Sequence, residues 1–210
     1  MIRVLIADDH PVVRAGLREI LVHHMEGVVW GEAENAQQVL AEVQRHSWDL
    51  LILDITMPGR SGYDILGDLK QLQPKLPILV LSMHPEDQYA KRALTAGARG
   101  YLEKESAPEE LIQAVRKLLA GGRYVSPALA EQFARDLHEG SDRPVHETLS
   151  PREFEILLMI GSGKTVSQIA EELHLSVTTV STYRARVLEK MNMATTAELM
   201  RYVIRNHLVD

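Results

Sequence analysis

Four short apolar runs in this chain each end on a residue that phosphoryl chemistry can use. Val4-Leu5-Ile6-Ala7 leads into Asp8 and Asp9, and Leu50-Leu51-Ile52-Leu53 into Asp54. Ile78-Leu79-Val80-Leu81 leads into Ser82, and Tyr101-Leu102-Glu103 into Lys104. Three carboxylates, a hydroxyl and an ammonium brought to one place can hold a divalent cation and a phosphoryl group together. Carboxylates this close raise one another's pKa, and a cation removes that penalty while bridging to phosphoryl oxygens. Oxygen donors suit hard Mg2+ better than Zn2+. Asp54 is followed by Ile55-Thr56-Met57-Pro58-Gly59, a stretch that must leave its strand sharply and present the carboxylate as a nucleophile. Lys104 would neutralise developing phosphoryl charge, and Ser82 would donate a hydrogen bond to it. A single strand-final Asp is as often only a helix cap. The ordered set, at the ends of successive strands, carries the reading.

Apolar runs separated by helical patterns read as buried parallel strands, whose carboxyl ends share one edge of the sheet. The first ~120 residues alternate strand and helix five times, which predicts an α/β doubly wound five-stranded parallel sheet covered on both faces. The second strand is expected at 28–32, and helices at 11–22, 36–46, 62–72, 86–96 and from Pro108 onward. Gly97 suits a helix C-cap, and Pro108 a first helical position. Gly121-Gly122 closes this unit, giving a first domain over 1–122. Residues 123–147 read as a linker with room for one helix at 127–137, and 138–144 are polar and breaker-rich. From 148 to 210 the pattern is helical only, an all-α second domain.

Composition narrows the classes. The chain has 210 residues and no cysteine, which excludes disulfides, thiolate metal sites and thiol catalysis. No apolar run approaches the ~20 residues of a membrane span, and the N-terminus runs straight into a strand, so the expectation is a cytoplasmic protein with no membrane partner. The net charge of −6 looks unsuited to nucleic acid. Its distribution matters more: from 148 to 210 there are seven basic and seven acidic residues, so all the excess acid precedes that segment. A neutral segment still binds DNA when its basic residues share a face.

The second domain carries such a face. Ser150, Pro151 and Glu153 form a capping box at a helix start. A short helix at 167–173, a turn at His174-Leu175 and a cap at Ser176 then give helix–turn–helix spacing. On the helix at 177–191, Val180, Val187, Leu188 and Met191 form the apolar stripe. Thr178, Ser181, Thr182, Ala185, Arg186 and Glu189 lie opposite, small enough to enter the major groove of double-stranded DNA. Arg184 is expected to pack its stem and reach a phosphate with its head, with Lys190 and Thr179 as further phosphate contacts. A last helix at 196–206 shows Leu199, Met200, Val203 and Ile204 on one side.

These motifs resemble a known family. The acidic pair Asp8-Asp9, the D-x-x-M-P-x-x-x-G of Asp54 to Gly62, Ser82 and the G-Y-L-x-K of Gly100 to Lys104 resemble the flavodoxin-like receiver domain of two-component response regulators. The resemblance implies Asp54 as acceptor of a phosphoryl group from a phosphohistidine on a sensor histidine kinase. It implies Asp9, Asp54 and the Thr56 carbonyl as Mg2+ ligands, with Asp8 acting directly or through water, and Tyr101 as a switch aromatic. The second segment resembles the LuxR-type helix–turn–helix of NarL/FixJ-type regulators, through L-S-P-R-E from Leu149, I-A-x-x-L from Ile169 and T-V-x-T-Y-R from Thr179. Val166-Ser167 stands where that family often has Asn-Lys, and Tyr183 where His is common. The last helix commonly supports dimerisation there, implying a homodimer on activation. The expected function is a phosphorylation-activated DNA-binding transcription regulator and not an enzyme. An aspartyl-phosphate phosphatase would usually carry a second acid two residues after its nucleophile, where Thr56 stands. A phosphorylation-independent binder would not need the full acidic set.

Overall fold

The computed structural model describes residues 1–57, 59–138 and 144–209, with backbone alone for 136–138. Pro58 of the acidic-turn motif and residues 139–143 of the expected flexible linker lie outside the described residues. The chain divides into two compact units, Met1–Ser141 and Asp142–Asp210.

The first unit alternates β1 (Ile2–Ala7), α1 (Pro11–His24), β2 (Val28–Ala33), α2 (Ala36–Arg45), β3 (Leu50–Asp54), α3 (Gly62–Leu72), β4 (Ile78–Ser82), α4 (Glu86–Ala96), β5 (Gly100–Glu103) and α5 (Pro108–Leu119). The five strands form one sheet in the order β2-β1-β3-β4-β5, every pair parallel. The all-apolar runs follow from this topology, because a strand buried on both faces cannot alternate apolar with polar. On one face Val4, Ile6, Leu50, Ile52, Leu79 and Leu81 pack with Leu17 and Leu21 of α1 and Leu111, Val115 and Leu118 of α5. The intervening Leu5, Leu51, Leu53 and Val80 point the other way and are also buried. On that side α2, α3 and α4 contribute Val39, Val43, Ile65, Leu66, Leu69, Ala90 and Ala93.

The register sets up the site. Ala7 pairs with Leu53, Asp54 with Leu81, and Ser82 with Glu103. Asp8, Asp54, Ser82 and Lys104 therefore emerge at one sheet edge within a step or two of each other.

The chain does not leave this unit at Gly122. Gly121 adopts φ +84, and the Gly122 N–H donates to the Lys117 carbonyl, folding the chain back onto α5. Tyr124 then bridges Gly100 in parallel, its N–H donates to Arg99, and its hydroxyl donates to Glu110. Ser126 caps α6 (Pro127–His138) by accepting from the Leu129 N–H, and Leu129 is buried. The sequence reading places 123–147 in a linker. In the structure the 123–129 stretch stays with the first unit, because Tyr124 joins the core with Leu118 and Val115 and the Ser126 N–H donates to Glu86.

The second unit contains a short 3-10 turn at Val145–Thr148, then α7 (Pro151–Gly161), α8 (Val166–Glu172), α9 (Val177–Lys190) and α10 (Thr196–Arg205). Each of the four helices begins on a Ser or Thr whose side chain accepts the third amide of its helix: Ser150, Thr165, Ser176 and Thr195. Glu153, Gln168 and Glu198 complete capping boxes on three of them. Phe154, Ile169, Val180, Val187, Leu199 and Val203 are buried. A Cβ on Gly161 would collide with Val203, so α7 and α10 approach closely at a glycine. The apolar side expected on α10 splits: Leu199 and Val203 are buried, whereas Ile204 is 62% exposed.

Candidate functional site

The carboxyl edge of the sheet gathers the predicted phosphoryl-handling residues. Asp54 ends β3 with 1% exposure. Its Oδ1 accepts from the Thr56 N–H at 2.9 Å, and its Oδ2 from Lys104 Nζ at 2.8 Å. Lys104 Nζ also lies 2.7 Å from Asp8 Oδ2, so one ammonium bridges two buried carboxylates. Its own N–H donates to the Ser82 carbonyl at 2.7 Å, which ties the end of β5 to β4. Asp8 Oδ1 accepts from the His10 N–H at 2.8 Å, a turn that orients the start of α1. Asp9 is partly exposed, and its Oδ1 lies 2.9 Å from His10 Nδ1. His10 is the N-cap position of α1, and its ring also leans over the acids. Ligand atoms of Asp8, Asp9, His10 and Asp54 lie within 4.8 Å of one another. Three carboxylates with one facing turn make an oxygen-rich set, and that set fits a hard divalent cation.

Electrostatics follow from burial. Burial pushes the Asp54 carboxyl above its ordinary 3.8, against the opposing pull of Lys104 and the Thr56 amide. Burial pulls Lys104 down, but its bonds to Asp54 and Asp8 outweigh this and hold the ammonium above its ordinary 10.5. The pocket therefore keeps a fixed positive charge beside Asp54.

Ser82 and Tyr101 connect this pocket to the β4–α4 loop. Ser82 is fully buried, and its Oγ accepts from the His84 N–H at 3.0 Å. Tyr101 is fully buried with its ring turned inward, and its hydroxyl donates to the His84 carbonyl at 2.8 Å. Burial raises its phenol pKa, keeping the proton that makes this bond. Both residues thus grip the same loop residue.

Gly62 and Arg14 were not singled out by residue chemistry. A Cβ on Gly62 would sit 2.5 Å from the Asp54 carbonyl and 2.8 Å from Ile55 Cα. The D-x-x-M-P-x-x-x-G spacing thus needs glycine so that α3 can start against the end of β3. Arg14 is buried beneath the acidic pair. Its partners Glu32 and Glu34 lie at the end of β2 and just after it.

In the second unit α8, the turn at His174 (φ 52) and α9 form a helix–turn–helix. Val180, Val187 and Met191 are buried, as the angular pattern expects, and Leu188 is half-buried. Thr178, Thr182, Ala185 and Arg186 are exposed, while Thr179 and Ser181 are half-buried. The Thr182 hydroxyl donates back to the Thr178 carbonyl, leaving the face low and even. Two long cations differ from the outward reach expected of them. Arg184 Nη1 donates to Thr196 Oγ1 at 3.2 Å, and Lys190 Nζ to Glu153 Oε2 at 2.7 Å. The C-terminal half of α9 runs beside the starts of α7 and α10, whose first turns offer Glu153 and Thr196 as acceptors. Arg186 lies on the exposed face with its guanidinium 5.8 Å from the Tyr183 ring.

A phosphoacceptor-type pocket on a flavodoxin-like parallel sheet, followed on the same chain by a helix–turn–helix unit, defines a class of two-domain regulators. Residues 4–116 match the response regulator receiver domain, and residues 147–203 match the bacterial regulatory proteins of the luxR family. The chain belongs to the response regulators with a LuxR-type C-terminal domain. It is 37% identical to response regulator GacA of Pseudomonas aeruginosa, covering all of this chain and 99% of that one. It is 35% identical to response regulator UvrY of Escherichia coli, covering all of this chain and 97% of the relative. Among solved structures, RcsB of Salmonella enterica serovar Typhimurium, bound to promoter rprA in the presence of phosphomimetic BeF3-, matches with a TM-score of 0.64 and 29% identity. The match covers 97% of this chain and 98% of that one.

Proposed function

We propose that this response regulator controls transcription by binding DNA when Asp54 is phosphorylated by a sensor histidine kinase. The observation that carries the reading is the buried Asp54 bonded to Lys104, with Asp8 and Asp9 beside it, on a chain that also holds a LuxR-type helix–turn–helix. In the transfer, an Asp54 carboxylate oxygen attacks phosphorus, the P–N bond of the kinase phosphohistidine breaks, and the imidazole leaves with that electron pair. Asp9, Asp54 and the Thr56 carbonyl would hold Mg2+, with Asp8 acting directly or through water. The bound ion would neutralise charge on the phosphoryl oxygens. Lys104 supplies a second fixed positive charge, and the Ser82 hydroxyl donates a hydrogen bond to the new group. Ser82 and Tyr101 both bond His84, so a shift of Ser82 toward the phosphoryl group would be felt in the β4–α4 loop.

The output is a homodimer whose two recognition helices, α9, address half-sites about one turn of DNA apart. Thr178, Ser181, Thr182, Ala185 and Arg186 face the groove, and Thr179 lies at the phosphate-facing start of the helix. Arg184 and Lys190 would have to exchange Thr196 and Glu153 for phosphates on binding. Proteins of this design act in the cytoplasm, where the DNA is, and regulate without turning over a substrate. The RcsB–promoter structure with a phosphomimetic supports both halves of the reading.

The test is labelling by a small acyl phosphate in Mg2+. Asp54→Asn should abolish it, and Asp9→Ala or chelation should nearly do so. Normal labelling of Asp54→Asn would move the acceptor elsewhere.

A further inference from the structure

We infer that Arg14 is a positioning residue for the carboxylate pocket: it locks the Asp8-Asp9 turn into the shape that receives a divalent cation. The inference rests on the cation reading above.

Arg14 lies in the first turn of α1, where a long cation would ordinarily reach solvent, yet it is only 6% exposed. All three parts of its fork are used. Nη1 donates to the Asp8 carbonyl at 2.8 Å, Nε to Glu32 Oε2 at 2.9 Å, and Nη2 to Glu34 Oε1 at 2.8 Å. Glu32 belongs to β2 and Glu34 follows it, so the guanidinium joins α1, the end of β2 and the end of β1. Asp8 is then fixed from every side. Its N–H donates to the Ala33 carbonyl, its carbonyl accepts from Arg14, and its carboxylate meets the His10 N–H and Lys104. Arg14 itself touches no reacting atom.

Burying a guanidinium is costly, and a methionine would fill the same space without desolvating a charge. Its planar fork fixes three acceptors at once, which an apolar side chain or a lysine cannot do. A cation site whose supporting bonds are fixed beforehand does not lose ordering entropy when the ion enters. Partners that hold ligands in place typically carry about ten- to a hundredfold in metal affinity.

A competing account has the opposite sign. If Arg14 acted only as a charge, its removal would leave Glu32 and Glu34 unneutralised near the acids and would tighten cation binding. If it acts by holding the turn, its removal weakens binding.

The experiment is Mg2+ titration of the full chain by calorimetry, comparing wild type with Arg14→Met, Arg14→Lys and Leu17→Ala. Leu17 is buried on the same helix, so its truncation reports a general loss of stability. Arg14→Met and Arg14→Lys should each weaken Mg2+ by about tenfold. Leu17→Ala should stay within a factor of about two. Tighter or unchanged binding in Arg14→Met, wild-type affinity in Arg14→Lys, or an equal loss in Leu17→Ala would each overturn the inference. Should Arg14→Met fail to fold, the Arg14→Lys arm decides alone, because it keeps the charge and loses the fork. If the wild type itself takes up no Mg2+, the cation reading of the pocket fails and this inference falls with it. Binding by the wild type with no change in the Arg14 variants sinks only the role of Arg14.

Discussion

At the scale of single residues, Lys104 does two things that a substitution can separate. Its ammonium bridges Asp8 and Asp54, and its N–H closes the end of β5 onto Ser82. Lys104→Ala removes the first and keeps the second. Asp54 keeps its place on β3, so labelling by a small phosphodonor should persist. Phosphorylation-dependent operator binding should fail to rise, and a normal rise in a gel-shift assay would refute the role. Glu153 gives a residue-scale test of pH. Burial would raise its carboxyl, but Lys190 and the Ser150 amide win and hold it below its ordinary 4.5. A depressed folded pKa contributes stability that is present above 4.5 and is lost as the pH falls through the folded value. The protection factors of the α7 amides, corrected for the intrinsic pH dependence of exchange, should therefore fall below that pH in the wild type. Glu153→Gln should already be destabilised at pH 7, by about 1 kcal/mol, because the amide can still complete the capping box but loses the ion pair with Lys190. The difference between the two should vanish in acid, and a constant difference from pH 7 to 3 would contradict the pairing.

At the scale of elements, the critical joint is where β3 hands over to α3. The Gly62 N–H donates to the Ile55 carbonyl, and a methyl at Gly62 would meet backbone that nothing flexible can vacate. Gly62→Ala is expected to cost about 1–3 kcal/mol through overpacking. More tellingly, it should displace Asp54 and Thr56 together, so the labelling rate should fall further than the loss of folded protein explains. Thermal melts beside labelling time courses at 20 °C would decide this, and equal losses in both would make Gly62 a purely structural residue. Gly161 plays the same part between α7 and α10, where Val203 occupies the space of a side chain.

At the scale of the whole molecule, charge is divided between the two units. Residues 148–210 carry seven acids and seven bases, and the net −6 belongs to what precedes them. An acidic unit joined to a neutral DNA-binding one repels the phosphate backbone at long range. The Debye length is about 8 Å at physiological ionic strength, so that repulsion is largely screened there. A fragment from Asp142 onward should bind non-specific duplex more tightly than the full chain at low salt. The gap should close as salt approaches about 0.15 M. A gap that persists unchanged would mean that something other than charge restrains the full chain.

The strands, their order along the chain and the acids at their ends were legible because parallel strands buried on both faces must be apolar runs, and a run stops where a polar residue begins. Helix starts were legible for a similar reason, since Ser150, Ser176 and Pro108 act within one turn of themselves. The α9 helix showed its buried stripe of Val180, Val187 and Met191 through a periodicity that any single helix obeys. Contacts that join distant segments were not legible. Nothing local announces that Arg14 turns inward to Glu32 and Glu34, that Arg184 ends on Thr196, or that Tyr124 returns to pair with Gly100. Each is a long side chain, or a stretch after a helix end, with several reachable partners. Which partner it takes depends on how close the packed elements bring the acceptors, and that distance exists only once the tertiary structure has formed.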